Sequence, residues 1–170
     1  MRDLISYNRC MKLHPAIRQE AIDTLESLEL SFPPNIRVRV VQGLRTIEEQ
    51  NDLYAQGRTK PGKIITRARG GKSYHNYALA IDFALLYDKD GDGKFEELSW
   101  DINKDFDRDD KKDWDEVIEA FEAKGWESGG KWRTFKDYPH LQKTLGYSVA
   151  QLFDKYKRKD FIPGSRYLRL

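Results

Sequence analysis

Two short stretches hold the residue types best suited to bond-breaking chemistry. Residues 73–82 read Ser-Tyr-His-Asn-Tyr-Ala-Leu-Ala-Ile-Asp, which places His75 seven residues before Asp82. Further on stands Asp137-Tyr-Pro-His140. The chain has 3 histidines, and two of them lie in these two places. Two imidazoles and a carboxylate make a ligand set for a catalytic zinc ion, which keeps a fourth position for water. Asp82 also sits inside the apolar run 79–86, where a carboxylate is costly unless it is paired or bound to a cation. A Ser-His-Asp triad from Ser73, His75 and Asp82 fits less well, because Ser73 and His75 are too near in sequence and no nucleophile-elbow motif is present. Spacing alone leaves a purely structural role open for each residue. His14, next to Pro15, reads as a helix-start residue.

These residues need a scaffold, and 170 residues suffice for one domain with a real core. Hydrophobic residues at 39% and aromatics at 12% place the chain among globular rather than disordered proteins. The 30 basic and 28 acidic residues nearly cancel, so net charge selects no partner class. Local charge says more. Residues 58–72 are basic (Arg58, Lys60, Lys63, Arg67, Arg69, Lys72), which suits either an anionic polymer, such as a wall glycan or a nucleic acid, or a solvated face. Cys10 is alone, which excludes an intramolecular disulfide and a cysteine-rich zinc site. No apolar run follows Met1-Arg-Asp, and no window approaches a membrane span. The expectation is a soluble protein made without a signal peptide. Action outside the cell then requires a separate pore or a leader removed beforehand.

Along the chain, residues 1–13 are mixed and read as surface. A helix starts at Pro15, carries Ile17, Ala21, Ile22, Leu25 and Leu28 on one face, and ends before Phe32-Pro33-Pro34. Residues 36–41 alternate apolar and basic side chains, as a half-buried strand does. Thr46-Ile-Glu-Glu49 has the form of a capping box and opens a helix ending at Gly57. Residues 58–74 read mostly as loop, with Ile64-Ile65 as a short strand. The run 79–86 reads as a central strand. A short strand at 98–100, a polar excursion at 101–112 and a helix from Asp113 to Gly125 follow. Residues 126–132 read as a strand and tight turn bringing tryptophans near a site, and Ser148 with Gln151 caps a last helix. Together these imply an α+β fold, a small, mainly antiparallel sheet flanked by helices.

The loop after the central strand is acidic. Asp88, Asp90 and Asp92 occupy positions one, three and five of a calcium loop, and Gly93 occupies position six. Glu96 falls at position nine, but position twelve is Ser99 instead of glutamate. Asp101, Asp105 or Asp107 could complete the shell. The alternative is an Asp-Gly turn whose acidity is merely solvated. Calcium bound here would order the insert and could act as a switch.

Gly43-Leu-Arg-Thr46, Glu49-Gln50, residues 53–59, Pro61-Gly62, Gly70-Gly71, Ser73-x-His75, Ala80-x-Asp82, Trp126, Gly129-Gly130, Trp132, Phe135 and Asp137-x-Pro-His140 occur in order. Over roughly residues 14–142 the chain resembles the LAS-type zinc peptidases of the M15 family. Within it, the chain is most similar to the L-alanyl-D-glutamate endopeptidases of bacterial cell walls and phage endolysins. One departure stands out: Ala78 occupies a position that is usually glycine. The resemblance implies a LAS/hedgehog-like fold, peptidoglycan as partner, and a monomer that neither binds nucleic acid nor inserts in membranes. It implies zinc ligands at His75, Asp82 and His140, a general base at Asp137 and an oxyanion-stabilising Arg45. Gln50 and Ser73 are implied as ligand-orienting or substrate contacts, with Trp132 and Tyr138 shaping the groove. The implied reaction is hydrolysis of a stem peptide at L-Ala–D-Glu. The alternatives are a D,D-carboxypeptidase releasing terminal D-Ala and a non-catalytic wall-binding module. Residues 143–170 match no wall-binding domain and have no assigned role.

Overall fold

A computed structural model describes residues 3–95 and 98–170. The chain forms α1 (Leu4–Cys10), α2 (Pro15–Ser31), β1 (Ile36–Gln42), α3 (Ile47–Ala55), β2 (Ala80–Tyr87), β3 (Leu98–Ser99), α4 (Asp113–Glu122), β4 (Glu127–Ser128), β5 (His140–Gln142) and α5 (Val149–Lys157). Short 3₁₀ turns lie at Tyr74–Tyr77 and Gly129–Lys131. The sheet order is β1-β2-β5-β4, with β3 also on β2, and every pairing is antiparallel. Strand β2 is central: β1 runs along one edge, while β5 and β3 share the other edge.

Alternation along the strands divides the sheet into two chemically different faces. Ile81, Phe83 and Leu85 of β2 stand opposite Leu141, Val40 and Val38, and all belong to the buried core under α2 and α4. Asp82 therefore points to the other face, opposite His140 on β5 and Gln42 on β1. A register shift between Val40 and Gln42 marks a bulge beside Asp82, and such bulges re-aim side chains next to sites. Trp114 of α4 closes the core, 1% exposed and tilted against Phe83 at 4.6 Å between centroids.

The caps account for most helix boundaries. His14 Nδ1 accepts the Ala16 N–H at the start of α2, and its Nε2 meets the Leu168 carbonyl at 2.9 Å. This buried histidine starts a helix and ties down the end of the chain. Both capping boxes form, Thr46 with Glu49 on α3 and Ser148 with Gln151 on α5. Three segments depart from expectation. Residues 4–13 are not loose surface: Asp3 caps α1, receives both guanidinium arms of Arg39, and leaves Cys10 and Leu13 fully buried. Ile64 and Ile65 form no strand and are half exposed. In α3 the buried residue is the polar Gln50 rather than Ile47 or Leu53. Leu152 and Leu168, from the unassigned C-terminal stretch, belong to the same core as β2.

Candidate metal centre and groove

His75 lies in the 3₁₀ turn that follows Ser73, Asp82 on β2 and His140 at the start of β5. The β2–β5 register sets Asp82 directly against His140. His75 Nε2 lies 3.1 Å from Asp82 Oδ1, His140 Nδ1 lies 3.1 Å from the same oxygen, and the two nitrogens are 3.2 Å apart. Ligand atoms 2.0–2.1 Å from a tetrahedral zinc stand about 3.3 Å from one another, so this triangle has the edge length such an ion needs. The outer ring nitrogens set the tautomers. His75 Nδ1 donates to the Gly43 carbonyl at 2.8 Å, and His140 Nε2 donates to Gln142 Oε1 at 3.0 Å. The inward nitrogens then present lone pairs to a carboxylate oxygen, and three acceptors that converge without a proton call for a cation. The residues present therefore fit zinc.

The surroundings are strongly polarised. Burial pushes the Asp82 carboxyl up, but positive charge facing it, that of His75 and His140 when protonated, outweighs this and holds the group well below the usual carboxylate range. Asp137 goes the other way: burial and the negative Asp82 raise it. Asp137 reaches the groove because the chain packs tightly on Gly129, where an added Cβ would lie 2.5 Å from the Asp137 carbonyl and 3.1 Å from His140 Cβ. Arg45 sends Nη2 towards Asp82 Oδ2 at 3.4 Å and donates from Nη1 to Gln50 Oε1 at 2.9 Å, while its buried Nε has no partner among the described residues. Gln50 is fully buried and donates to the Ala68 carbonyl, so it holds Arg45 from behind.

These groups open onto a groove of about 670 Å³, whose wall includes Arg45, Ser73, Trp132, Phe135 and Asp137. Trp132 stands 5.1 Å from the His140 ring. Tyr138 is a correction: it packs towards the core and against Gly130, where an added Cβ would meet its Cδ1 at 2.9 Å, and it does not line the groove. Trp126 likewise lies in the core, its Nε1 donating to Glu20. Two further features belong to the site without being singled out by their sequence context: Trp100, half exposed at the groove rim, and the Gln142–Glu127 pair behind His140. The aromatic neighbourhood hints at Trp100, but the pair is visible only once strand register is known.

The acidic insert is also rearranged. Asp88, Asp90 and Asp92 do bring carboxylate oxygens within 4.8 Å of one another. Asp88 accepts the Gly91 and Gly93 N–H groups and Asp92 is paired with Lys94, while further on Asp105 accepts the Asp109 and Asp110 N–H groups and Asp113 accepts from Tyr87 Oη and Phe106 N–H. Ser99 is paired on β3, and Glu96 lies outside the described residues. Asp105 and Asp107 cluster instead with Asp113, and Asp107 again with Asp109 and Glu116. Asp105, Asp107, Asp109, Asp113 and Glu116 are positions one, three, five, nine and twelve of a calcium loop. Asp110 stands at position six with φ 69°, the backbone usually supplied there by glycine. Asp107 Oδ1 and Glu116 Oε2 are shielded from solvent without a donor. Burial and the neighbouring aspartates push Glu116 up to about 7.

An α+β fold carrying a His-Asp-His triangle in an open groove is an arrangement suited to metal-dependent hydrolysis. The chain belongs to the M15 peptidases, a family generally dependent on zinc. A family model described as D-alanyl-D-alanine carboxypeptidase matches residues 66–143. The peptidoglycan L-alanyl-D-glutamate endopeptidase CwlK of Bacillus subtilis (strain 168) is 48% identical over 130 residues, 76% of this chain and 72% of the relative. The L-Ala D-Glu endopeptidase ChiX of Serratia marcescens shares the fold at a TM-score of 0.51 and 20% identity, over 84% of this chain and 88% of the other. No helix among the described residues is long and apolar enough to cross a membrane.

Proposed function

We propose that this chain is a zinc peptidase acting on the bacterial cell wall, which hydrolyses the L-Ala–D-Glu bond of peptidoglycan stem peptides, with its catalytic core in residues 14–142. The observation that carries the reading is the triangle of His75, Asp82 and His140 with 3.1–3.2 Å edges and inward lone pairs. The named activity of CwlK supports the choice of bond. His75, Asp82 and His140 would hold the zinc, which would supply Lewis acidity and lower the pKa of water towards ~7. Asp137, raised by burial, takes the proton from the attacking water and returns it to the departing amine. Arg45 lines the groove with Nη2 towards Asp82, and its guanidinium charge would stabilise an oxyanion that develops as the amide is attacked. Trp132, Phe135 and Ser73 line the groove that would receive the peptide.

The description of the matched family model favours a second reading, release of terminal D-Ala. Digestion of purified peptidoglycan separates the two: new N-terminal D-Glu supports the endopeptidase, and D-Ala as the only product refutes it. A wall-binding module without catalysis would release neither. Asp137→Asn, with zinc still bound, should lose 10²–10⁴-fold in kcat, and full activity would remove Asp137 as the base.

We infer calcium as a second ion of this reading, and the spacing of residues 105–116 with two buried oxygens that lack a donor supports that stretch as its site. In calorimetric titration with calcium chloride, Glu116→Gln should abolish the heat, whereas Asp90→Asn combined with Asp92→Asn should leave it unchanged. The opposite pattern returns calcium to residues 88–96, and no heat in the unmodified protein removes calcium altogether.

A further inference from the structure

We propose that Glu127 and Gln142 are positioning residues for the metal, jointly selecting the His140 tautomer whose Nδ1 lone pair faces Asp82 and His75. The proposal rests on the zinc reading above and adds to it the group that prepares one ligand.

The arrangement follows from strand register. Residues two apart on a strand share a face, so His140 and Gln142 point the same way along β5. Gln142 is paired across the sheet with Glu127 on β4 and with Ala80 on β2. Ala80 contributes only a methyl group, and Glu127 contributes a carboxylate. Gln142 Nε2 donates to Glu127 Oε2 at 2.9 Å. A carboxylate accepts and does not donate, so Glu127 fixes which end of the Gln142 amide it faces. The amide oxygen is then left towards His140, 3.0 Å from Nε2. An oxygen there requires Nε2 to carry the hydrogen, which leaves Nδ1 as a lone pair 3.1 Å from Asp82 Oδ1.

The reversed amide would give a different site. Its NH₂ would donate to His140 Nε2 and move the ring hydrogen to Nδ1. That hydrogen would point at Asp82 and close a His–Asp hydrogen bond across the place the metal needs. His75 has no such choice, because a backbone carbonyl, that of Gly43, holds its outer nitrogen. The metal-ready state of the triangle therefore depends on side chains at one corner only. Buried Gln142 transmits the choice, and Glu127, exposed at the far end, makes it.

The test uses the full chain, metal-free and zinc-loaded. Zinc affinity is read by competition with a chelator, and the His140 tautomer by NMR of the imidazole nitrogens. Glu127→Lys places an ammonium donor against the amide and should turn it. Gln142→Leu removes the amide. Each should weaken zinc 10–100-fold and move the metal-free His140 signal towards the Nδ1–H form. The paired swap Gln142→Glu with Glu127→Gln keeps an acceptor towards Nε2–H and a donor towards residue 142, so it should keep wild-type affinity and tautomer. Glu127→Lys tests an exposed position, so its outcome does not depend on the core tolerating Gln142→Leu. Unchanged zinc affinity and tautomer in Glu127→Lys overturn the proposal. Failure of the zinc reading looks different: His75→Ala would then bind zinc as tightly as wild type, whatever residue 142 is.

Discussion

Ala78 shows how much one backbone angle can hide. It ends the 3₁₀ turn carrying His75 with φ 59° and ψ 33°, a left-handed conformation, and its N–H returns to the His75 carbonyl. Left-handed backbone costs an L-residue about 1–2 kcal/mol, while glycine gives back about 0.5–1 kcal/mol in chain entropy. Ala78→Gly should therefore stabilise the protein by about 0.5–1 kcal/mol, read as a rise in the urea midpoint at unchanged slope. A fall would show that its buried methyl matters more than its strain. Arg45→Ala should cost about 10²–10³ in kcat, as loss of an oxyanion partner does. Gln50→Ala should reproduce part of that loss through Arg45. At this scale the sequence was partly legible. The histidines and Asp82 declare themselves by rarity and by a carboxylate in an apolar run. The unusual Ala78 is visible, but not that its site demands positive φ. Glu127 and Gln142 look like ordinary strand-edge residues until their pairing is known.

Among the elements, the helices announced themselves through caps and apolar spacing, and α2, α3 and α5 begin where those signals place them. Helix α1 did not, because its seven residues carry no apolar repeat and its order comes from the distant Arg39 on β1. The insert before α4 holds a second acidic spacing that is harder to read. Residues 88–93 carry Gly93 at position six, while residues 105–116 carry Asp110 there. This insert should respond to pH. Glu116 sits near 7 when folded, against an ordinary 4.5, so folding favours its protonated form. Its contribution is fully present below about 4.5 and is lost as pH rises through about 7. In chelator, Glu116→Gln should melt higher than wild type at pH 8 and show a flatter stability profile between pH 4.5 and 7.5. Matching profiles for the two proteins would mean that Glu116 does not govern the insert.

For the whole molecule, the sheet keeps the metal and the core on opposite faces. The core runs from α2 through Ile81, Phe83 and Leu85 to Trp114, and none of the three ligands belongs to it. Zinc should therefore strengthen the fold without creating it. Free zinc at about 100 times its Kd adds ~2.7 kcal/mol, or about 5–11 °C of Tm for a domain of this size. Chelation should remove that increment and leave the far-ultraviolet circular dichroism intact. Collapse of the helical signal would mean that the metal is structural. Much of this layout was legible, since the apolar run 79–86 marks β2 as central. The antiparallel pairing of β2 with β5 was not, because β5 is only three residues long and its partner lies 58 positions earlier.

That distant pairing also bears on when the protein becomes able to act. During synthesis the chain emerges from its amino end, and His75 and Asp82 are exposed to the surroundings well before His140 exists. Two donors hold a metal poorly, and the third arrives only when β5 settles against β2. On the proposed zinc reading, a chain that ends before His140 lacks the third ligand and should be inactive.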